Sequence, residues 1–208
     1  MSRHHDRRLV SQPTIDSTIL PLRSPAGAPT IPTMAAASVT GFPSRGWQDV
    51  VKQVADVLAG GDGPVGVALI DVDHFADRAD EVAHLAEGRQ YLVEALIDKL
   101  TEHVNVGDVT ARVGDDDFLI VRSPLTSPAE VESLGLRLLD AFSTPIEIED
   151  MTVPCSVSVG VVTSCTGDRP KDLLRYAQYA LDDAKVLGRG RMIAFADEDR
   201  EFVVEFND

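Results

Sequence analysis

The spacing of hydrophobic residues along the chain changes from helical to strand-like and back several times. Residues 47–60 place Val50, Val54 and Leu58 on one helical stripe, which predicts a helix that ends at the following glycines. The segment GPVGVALIDVD, residues 63–73, is a short continuous apolar run that ends in acidic residues. Such a run is typical of a buried central strand.

The pattern after this strand predicts further helices and strands. Gly114-Asp115-Asp116 separates two apolar runs and indicates a hairpin. Ser127-Pro128-Ala129-Glu130 combines an N-cap, a first-turn proline and the acid of a capping box, which predicts the start of a helix. The predicted helices are 75–88, 89–104, 127–142 and 168–187, and the predicted strands are 108–113, 117–122, 146–149, 152–162 and 191–196.

This order of elements predicts an α/β fold, or α+β sandwich, in which helices cover both faces of one central mixed sheet. Residues 201–206, EFVVEF, alternate apolar and acidic side chains after the last of these elements. They predict either an extra edge strand or an intermolecular strand, and the sequence favours neither alternative.

Composition divides the chain into a tail, a domain and a short extension. Residues 1–45 hold six of the 12 prolines and a net charge of +3, which predicts a disordered basic tail. The total charge of −15 therefore leaves −18 for the rest, which we divide into a domain at 46–197 and an extension at 198–208. A domain so acidic is expected to bind neither nucleic acid nor an anionic membrane surface. With two cysteines and no long apolar run, the chain is expected to be cytoplasmic.

Acidic residues cluster at two strand borders. Asp71 and Asp73 end the first strand, and Asp115, Asp116 and Asp117 occupy the hairpin tip. If the hairpin pairs beside that strand, all five carboxylates meet at one edge of the sheet, where hard oxygen ligands suit Mg²⁺ or Mn²⁺ holding a substrate phosphate. Such a site supports phosphoryl or nucleotidyl transfer. The alternative is an incidental cluster, since turns favour Asp and the chain has 34 acidic residues.

Two cations follow near the end of the last helix. Lys185 and Arg189 are four residues apart, beside Gly188. They are either cations placed favourably against the C-terminal end of the helix dipole or a clamp for a triphosphate.

The sequence lacks GxxxxGK[ST], GxSxG, HExxH and CxxC, which excludes the P-loop and several other catalytic motifs. Cys155 lies on the apolar face of an alternating strand and is predicted to be a core thiol.

Four motifs together resemble the GGDEF family, the diguanylate cyclases of bacterial second-messenger signalling. They are ALIDVDHF (68–75), RVGDDDF (112–118), SVSVGVV (156–162) and AKVLGRGR (184–191). The resemblance covers about residues 47–197 and implies a five-stranded central sheet surrounded by helices, related to the palm of adenylate cyclases and polymerases. In an active member two protomers face each other, and two Mg²⁺ assist the condensation of two GTP into cyclic di-GMP.

The resemblance also implies roles for residues that this chain retains. Asp71, the carbonyl of Val72 and Asp116 match the metal ligands, and the signature, here GDDDF, has Asp117 in place of a Glu. Asp116 and Asp117 are the implied catalytic acids. The implied nucleotide phosphate-binding residues are His74, Phe75, Lys185 and Arg189.

Other positions depart from the family pattern. Ala79 and Gly88 stand where the family reads guanine with Asn and Asp, so both hydrogen-bonding side chains are missing. Ala76 replaces a phosphate-contacting Lys, and Asp115 replaces a Gly that lets the backbone approach the triphosphate. Asp115 is therefore expected to repel a triphosphate. The combined change Asp115→Gly, Ala79→Asn and Gly88→Asp is expected to raise GTP affinity.

The family's inhibitory product site, an RxxD motif before the signature, is also altered. Its Arg position is Asn105, although Asp108 remains, so product feedback is not expected.

Two functional hypotheses remain open. The domain is either an inactive or weak GGDEF domain that binds a nucleotide, a protein partner or a second copy, or a working cyclase. A working cyclase would either condense two GTP into cyclic di-GMP or have an altered base preference. If the domain binds a cofactor, Mg²⁺ or Mn²⁺ is the one expected.

Overall fold

The computed structural model describes residues 41–61 and 63–200. These residues form five α-helices, seven strands and a final 3₁₀ turn. The helices are α1 (Trp47–Gly60), α2 (Phe75–Glu81), α3 (Gly88–Thr101), α4 (Ala129–Ala141) and α5 (Pro170–Val186). The strands are β1 (Gly66–Val72), β2 (Val109–Arg112), β3 (Asp117–Arg122), β4 (Ile146–Ile148), β5 (Met151–Val153), β6 (Val157–Thr163) and β7 (Met192–Ala194).

Five of the strands form one mixed sheet in the order β2-β3-β1-β6-β7. Neighbours are antiparallel except β6 and β7, which are parallel. Strand β1 lies in the centre and is buried at all seven positions, as its continuous apolar run predicts. The predicted α/β fold with a central mixed five-stranded sheet is confirmed.

Helices cover both faces of the sheet, because successive side chains of a strand point to opposite faces. Ala68 and Ile70 of β1 belong to the hydrophobic cluster that includes the buried residues of α2, α3 and α4. Val67 and Leu69 belong to the cluster that includes those of α1 and α5. Gly160 lets α5 approach β6 closely, since a Cβ there would lie 2.2 Å from the carbonyl oxygen of Ala177.

Three predicted element boundaries are wrong. The predicted strand 152–162 is divided, because Met151–Val153 pairs with Ile146–Ile148 in a separate two-stranded sheet and only Val157–Thr163 joins the central sheet. The predicted helix 75–88 ends at Glu81. Helix α4 begins at Ala129 without a side-chain cap from Ser127.

The segment at 41–45, predicted to end the tail, lies along the edge of the sheet. The backbone N–H of Arg112 donates to the carbonyl of Pro43 at 3.0 Å, and that of Arg45 donates to the carbonyl of Arg112 at 2.9 Å. The Phe42 ring is buried and meets Phe118 edge-on at 5.6 Å between centroids. The packed part of the chain therefore begins before the predicted boundary at residue 45. The rest of the predicted tail and the predicted strand at 201–206 lie outside the described residues.

Candidate functional site

The end of β1 and the hairpin between β2 and β3 lie side by side. Asp71 is the register partner of Asp117, and the backbone N–H of Val72 donates to the carbonyl of Asp116 at 3.0 Å. A Cβ at Gly114 would lie 2.7 Å from the Asp117 carboxylate, so a side chain there would displace that of Asp117. The predicted juxtaposition of strand end and hairpin tip is confirmed by this pairing.

Three of the five predicted acids converge. Asp71, Asp116 and Asp117 each offer a carboxylate oxygen, and these oxygens all lie within 4.8 Å of one another. Burial, followed by the charges of Asp116 and Asp71, raises the pKa of Asp117 to about 6. Burial also raises the pKa of Asp71, although Lys185 opposes this shift. A cluster of hard oxygen donors whose like charges crowd one another matches the ligand preference of a divalent cation.

Lys185 reaches this cluster from the last turn of α5. Its Nζ donates to Oδ2 of Asp71 at 2.6 Å. Gly188 and Arg189 then adopt left-handed φ values of 112° and 60°, and Nε of Arg189 lies 3.9 Å from Oδ1 of Asp73. Both cations thus lie beside the acidic edge of the sheet. A favourable interaction with the helix dipole alone does not account for this placement.

Asp73 does not belong to the acidic cluster, contrary to the prediction that all five acids meet. Its carboxylate accepts hydrogen bonds from the hydroxyls of Ser156 and Ser158, each at 2.7 Å, and from the backbone N–H of Gly190 at 3.0 Å. The side chain is almost fully buried. Asp73 therefore joins the end of β1 to the start of β6 and to the turn after α5.

Asp115 also lies outside the cluster. Its Oδ2 accepts from Nη2 of Arg89 at 2.9 Å, and its carbonyl accepts from Nη2 of Arg112 at 2.8 Å. The sequence indicated the extra acid but not these partners, because Arg89 is 26 positions away. The expected repulsion of a triphosphate by Asp115 is weakened, since two guanidinium groups lie beside its charge.

Ala79 and Gly88, the two positions where the resemblance implies guanine-reading residues, are both buried. Ala79 is 4% exposed and belongs to the hydrophobic core. Gly88 is buried at the start of α3, and a Cβ there would lie 2.0 Å from the carbonyl oxygen of Val82. An Asp at position 88 therefore does not fit this backbone. The triple substitution is therefore no longer expected to raise GTP affinity, because an Asp at position 88 would meet the Val82 carbonyl and an Asn at position 79 would place an amide in the hydrophobic core.

His74 and Phe75, two of the predicted phosphate-binding residues, differ in environment. His74 is exposed, has a left-handed φ of 55°, and its Nδ1 lies 3.7 Å from Oδ2 of Asp77. Phe75 is buried, and the Arg89 guanidinium lies 4.8 Å from its ring centroid. His74 lies between β1 and α2, directly after the acidic end of the strand, and Phe75 is the first residue of α2.

The altered inhibitory motif is occupied by an internal ion pair. Asp108 accepts from Nη2 of Arg122 at 2.5 Å and from the backbone N–H of Asn105 at 2.8 Å. Both side chains of the Arg122–Asp108 pair are buried. The Asp108 carboxylate is therefore already engaged by Arg122, which sequence spacing did not indicate.

Among the described residues, none of the helices has the length and apolar character needed to span a membrane.

Comparison with known proteins identifies the family of the chain. Residues 38–191 match the family described as "Diguanylate cyclase, GGDEF domain". The chain is 33% identical over 173 residues to "Cyclic di-GMP phosphodiesterase PdeR" of Escherichia coli, with 81% of this chain and 25% of that protein covered. It is 30% identical over 128 residues to "Diguanylate cyclase TpbB" of Pseudomonas aeruginosa, with 61% and 29% covered.

A solved structure has a similar fold. The solved GGDEF domain of TpbB from Pseudomonas aeruginosa superposes with a TM-score of 0.67 at 22% identity, covering 79% of this chain and 95% of that one. The chain spans between a quarter and a third of the length of the two curated relatives named above. Residues 38–191 match the family over most of the chain, and the protein belongs to the GGDEF family of cyclic di-GMP signalling.

Proposed function

We propose that this domain has lost diguanylate cyclase activity and acts as a signalling module that binds a nucleotide or a protein partner. The observation that carries the proposal is the packing of Ala79 and Gly88. A site that selects a base by hydrogen bonds loses its preference when the donors and acceptors are absent. At position 88, the carbonyl of Val82 also occupies the space that a guanine-reading side chain would need.

The acidic cluster supports retention of a cation and phosphate site within this module. Asp71, Asp116 and the carbonyl of Val72 would hold Mg²⁺ or Mn²⁺, with Asp117 beside them. When bound, the cation would neutralise phosphate charge and polarise a phosphoryl oxygen. Lys185 would orient the phosphates, because its ammonium already lies within hydrogen-bonding distance of the cluster. Arg189 would add a second cation at the same edge.

The names of the relatives also support the proposal. A similar segment occurs in a protein named as a phosphodiesterase and in one named as a cyclase, so the presence of this domain does not by itself require synthesis of cyclic di-GMP. The convergence of Asp71, Asp116 and Asp117 favours the second candidate, a working cyclase with altered base preference. The experiment must therefore separate loss of synthesis from a change of substrate.

The test is incubation of the full chain with GTP, ATP or both, in Mg²⁺ and in Mn²⁺, followed by mass spectrometry. We expect no cyclic dinucleotide from any combination, while an active GGDEF cyclase run in parallel yields cyclic di-GMP. A product that disappears in Asp71→Ala and Asp116→Ala would overturn the proposal in favour of the working cyclase. Product that survives both changes would also exclude the metal site named above.

A further inference from the structure

Asp115 is held between two arginines from different elements. Arg89 in the first turn of α3 donates from Nη2 to its carboxylate at 2.9 Å. Arg112 at the end of β2 donates from Nη2 to the Asp115 carbonyl at 2.8 Å, and that nitrogen lies 3.8 Å from Oδ1. These contacts connect the tip of the hairpin between β2 and β3 to the start of α3, next to Gly88.

The two guanidinium groups are held in place by other contacts. Arg89 lies over the ring of Phe75, 4.8 Å from its centroid, and Phe75 is buried. Arg112 is fixed through its backbone by Pro43 and Arg45, and its Nε is buried with no acceptor among the described residues. Two guanidinium groups carry more donors and more charge than one carboxylate satisfies.

An open cavity of about 670 Å³ adjoins these arginines. Both arginines contribute to its lining, together with Gly88, the apolar side chains of Leu85 and Val93, and the acids Glu87 and Glu94. A cavity of this size accommodates a small ligand. Glu87 and Glu94 balance the charge of the two arginines within the lining, so the preference for an anion is assigned to the guanidinium groups beside Asp115 alone.

We propose that Arg89 and Arg112 form an anion site that Asp115 occupies from within the chain, and that a phosphate group competes with Asp115 for it. The Asp115 side chain is 75% exposed, and such an ion pair is weak, so its displacement costs little. A phosphate offers more acceptor oxygens and more charge than the carboxylate, and guanidinium groups bind it in the same forked geometry. The choice of phosphate as the ligand rests on the proposed function. The anion site itself does not, because the two arginines are separate from the acidic cluster.

The experiment is calorimetric titration of the full chain with inorganic pyrophosphate in EDTA at low salt. Because EDTA removes divalent cations, binding through the acidic cluster does not contribute, and failure of the proposed metal site would leave this result unchanged. We expect Asp115→Asn to bind pyrophosphate roughly two- to fivefold more tightly than the natural chain, the factor that corresponds to an exposed ion pair. Asp115→Gly should show at least the same gain.

Two further variants test whether the gain belongs to this site. Asp98→Asn removes one negative charge from the exposed face of α3 and should change the affinity by less than Asp115→Asn does. Adding Arg89→Gln to Asp115→Asn should abolish the gain. The proposal is overturned if Asp115→Asn and Asp115→Gly show no gain, if Asp98→Asn gives the same gain, or if the gain persists with Arg89→Gln.

Discussion

At the scale of the residue, identical side chains at this site have three different environments. Asp71 crowds against other carboxylates, Asp73 is buried among hydrogen-bond donors, and Asp115 pairs with arginines at the surface. Their neighbours in the fold produce the difference. The sequence predicted that acids would gather at one edge of the sheet, because strand ends and hairpin tips can be located from the hydrophobic pattern. It could not assign each acid a partner, since those partners lie up to 117 positions away.

The raised pKa of Asp117 predicts a pH dependence of cation binding. At about pH 5 its carboxyl is largely protonated in the folded chain, and a cation must displace that proton. At about pH 7.5 the carboxylate is ionised and crowded by Asp71 and Asp116. Mg²⁺ or Mn²⁺ should therefore raise the melting temperature more at the higher pH, as measured by differential scanning fluorimetry.

The same shift determines how stability without metal depends on pH. The pKa of the Asp117 carboxyl is about 6 in the folded chain and near 3.8 in the unfolded chain, so the folded chain holds this proton more tightly. The protonated carboxyl therefore stabilises the folded state, and this stabilisation is lost as pH rises from about 4 to about 6. Asp117→Asn should remove this loss and weaken the response to cations, while Asp98→Asn should preserve both. A cation response of equal size at both pH values in the natural chain would contradict the assignment.

At the scale of the element, the hydrophobic pattern located most helices and strands but not the breaks between them. Alternation of apolar residues runs through 152–162, yet Pro154 lies inside this range and lacks the N–H that a central strand needs. The chain leaves the small sheet after Val153 and enters the central sheet at Val157. Tertiary packing also determines the conformation of the connection from α2 to α3. In this connection Gly88 lies close against the carbonyl of Val82, and the spacing of hydrophobic residues does not indicate that contact.

The α2–α3 connection predicts that restoring an acid for guanine will fail. Gly88→Asp places a Cβ against the Val82 carbonyl, so the backbone must shift, and we expect a loss of about 2–4 kcal/mol in the free energy of unfolding. Urea denaturation measures this loss. GTP affinity should not rise in the variant.

Gly60→Asp is the matched control, because a Cβ at Gly60 meets nothing within 4 Å. Gly60→Asp should lower the free energy of unfolding by well under half as much as Gly88→Asp does. If Gly88→Asp folds with unchanged stability and binds GTP more tightly, the base position is open and the description of this connection is wrong.

At the scale of the whole molecule, the fold and the acidic cluster both match the GGDEF family, whereas the packing at Ala79 and Gly88 argues against cyclase activity. The five-stranded sheet brings the acids of β1 and the hairpin together with Lys185 of α5, as the four sequence motifs imply. At the two positions where the resemblance implies base-reading residues, the same fold has a core alanine, Ala79, and a confined glycine, Gly88. The five acids at this edge of the sheet therefore have different roles: Asp71, Asp116 and Asp117 form a cluster suited to a cation, Asp73 holds strand ends together, and Asp115 is balanced by arginines.

The central claim is that phosphate and cation binding persist while base selection is lost. Calorimetric titration of the full chain with GTP and with ATP, both in saturating Mn²⁺, tests it most directly. We predict dissociation constants within about threefold of each other, both weakened by Asp71→Asn, because only the phosphates are recognised. GTP binding tenfold or more tightly than ATP, a difference of about 1.4 kcal/mol, would show that a working guanine site exists and would contradict the account.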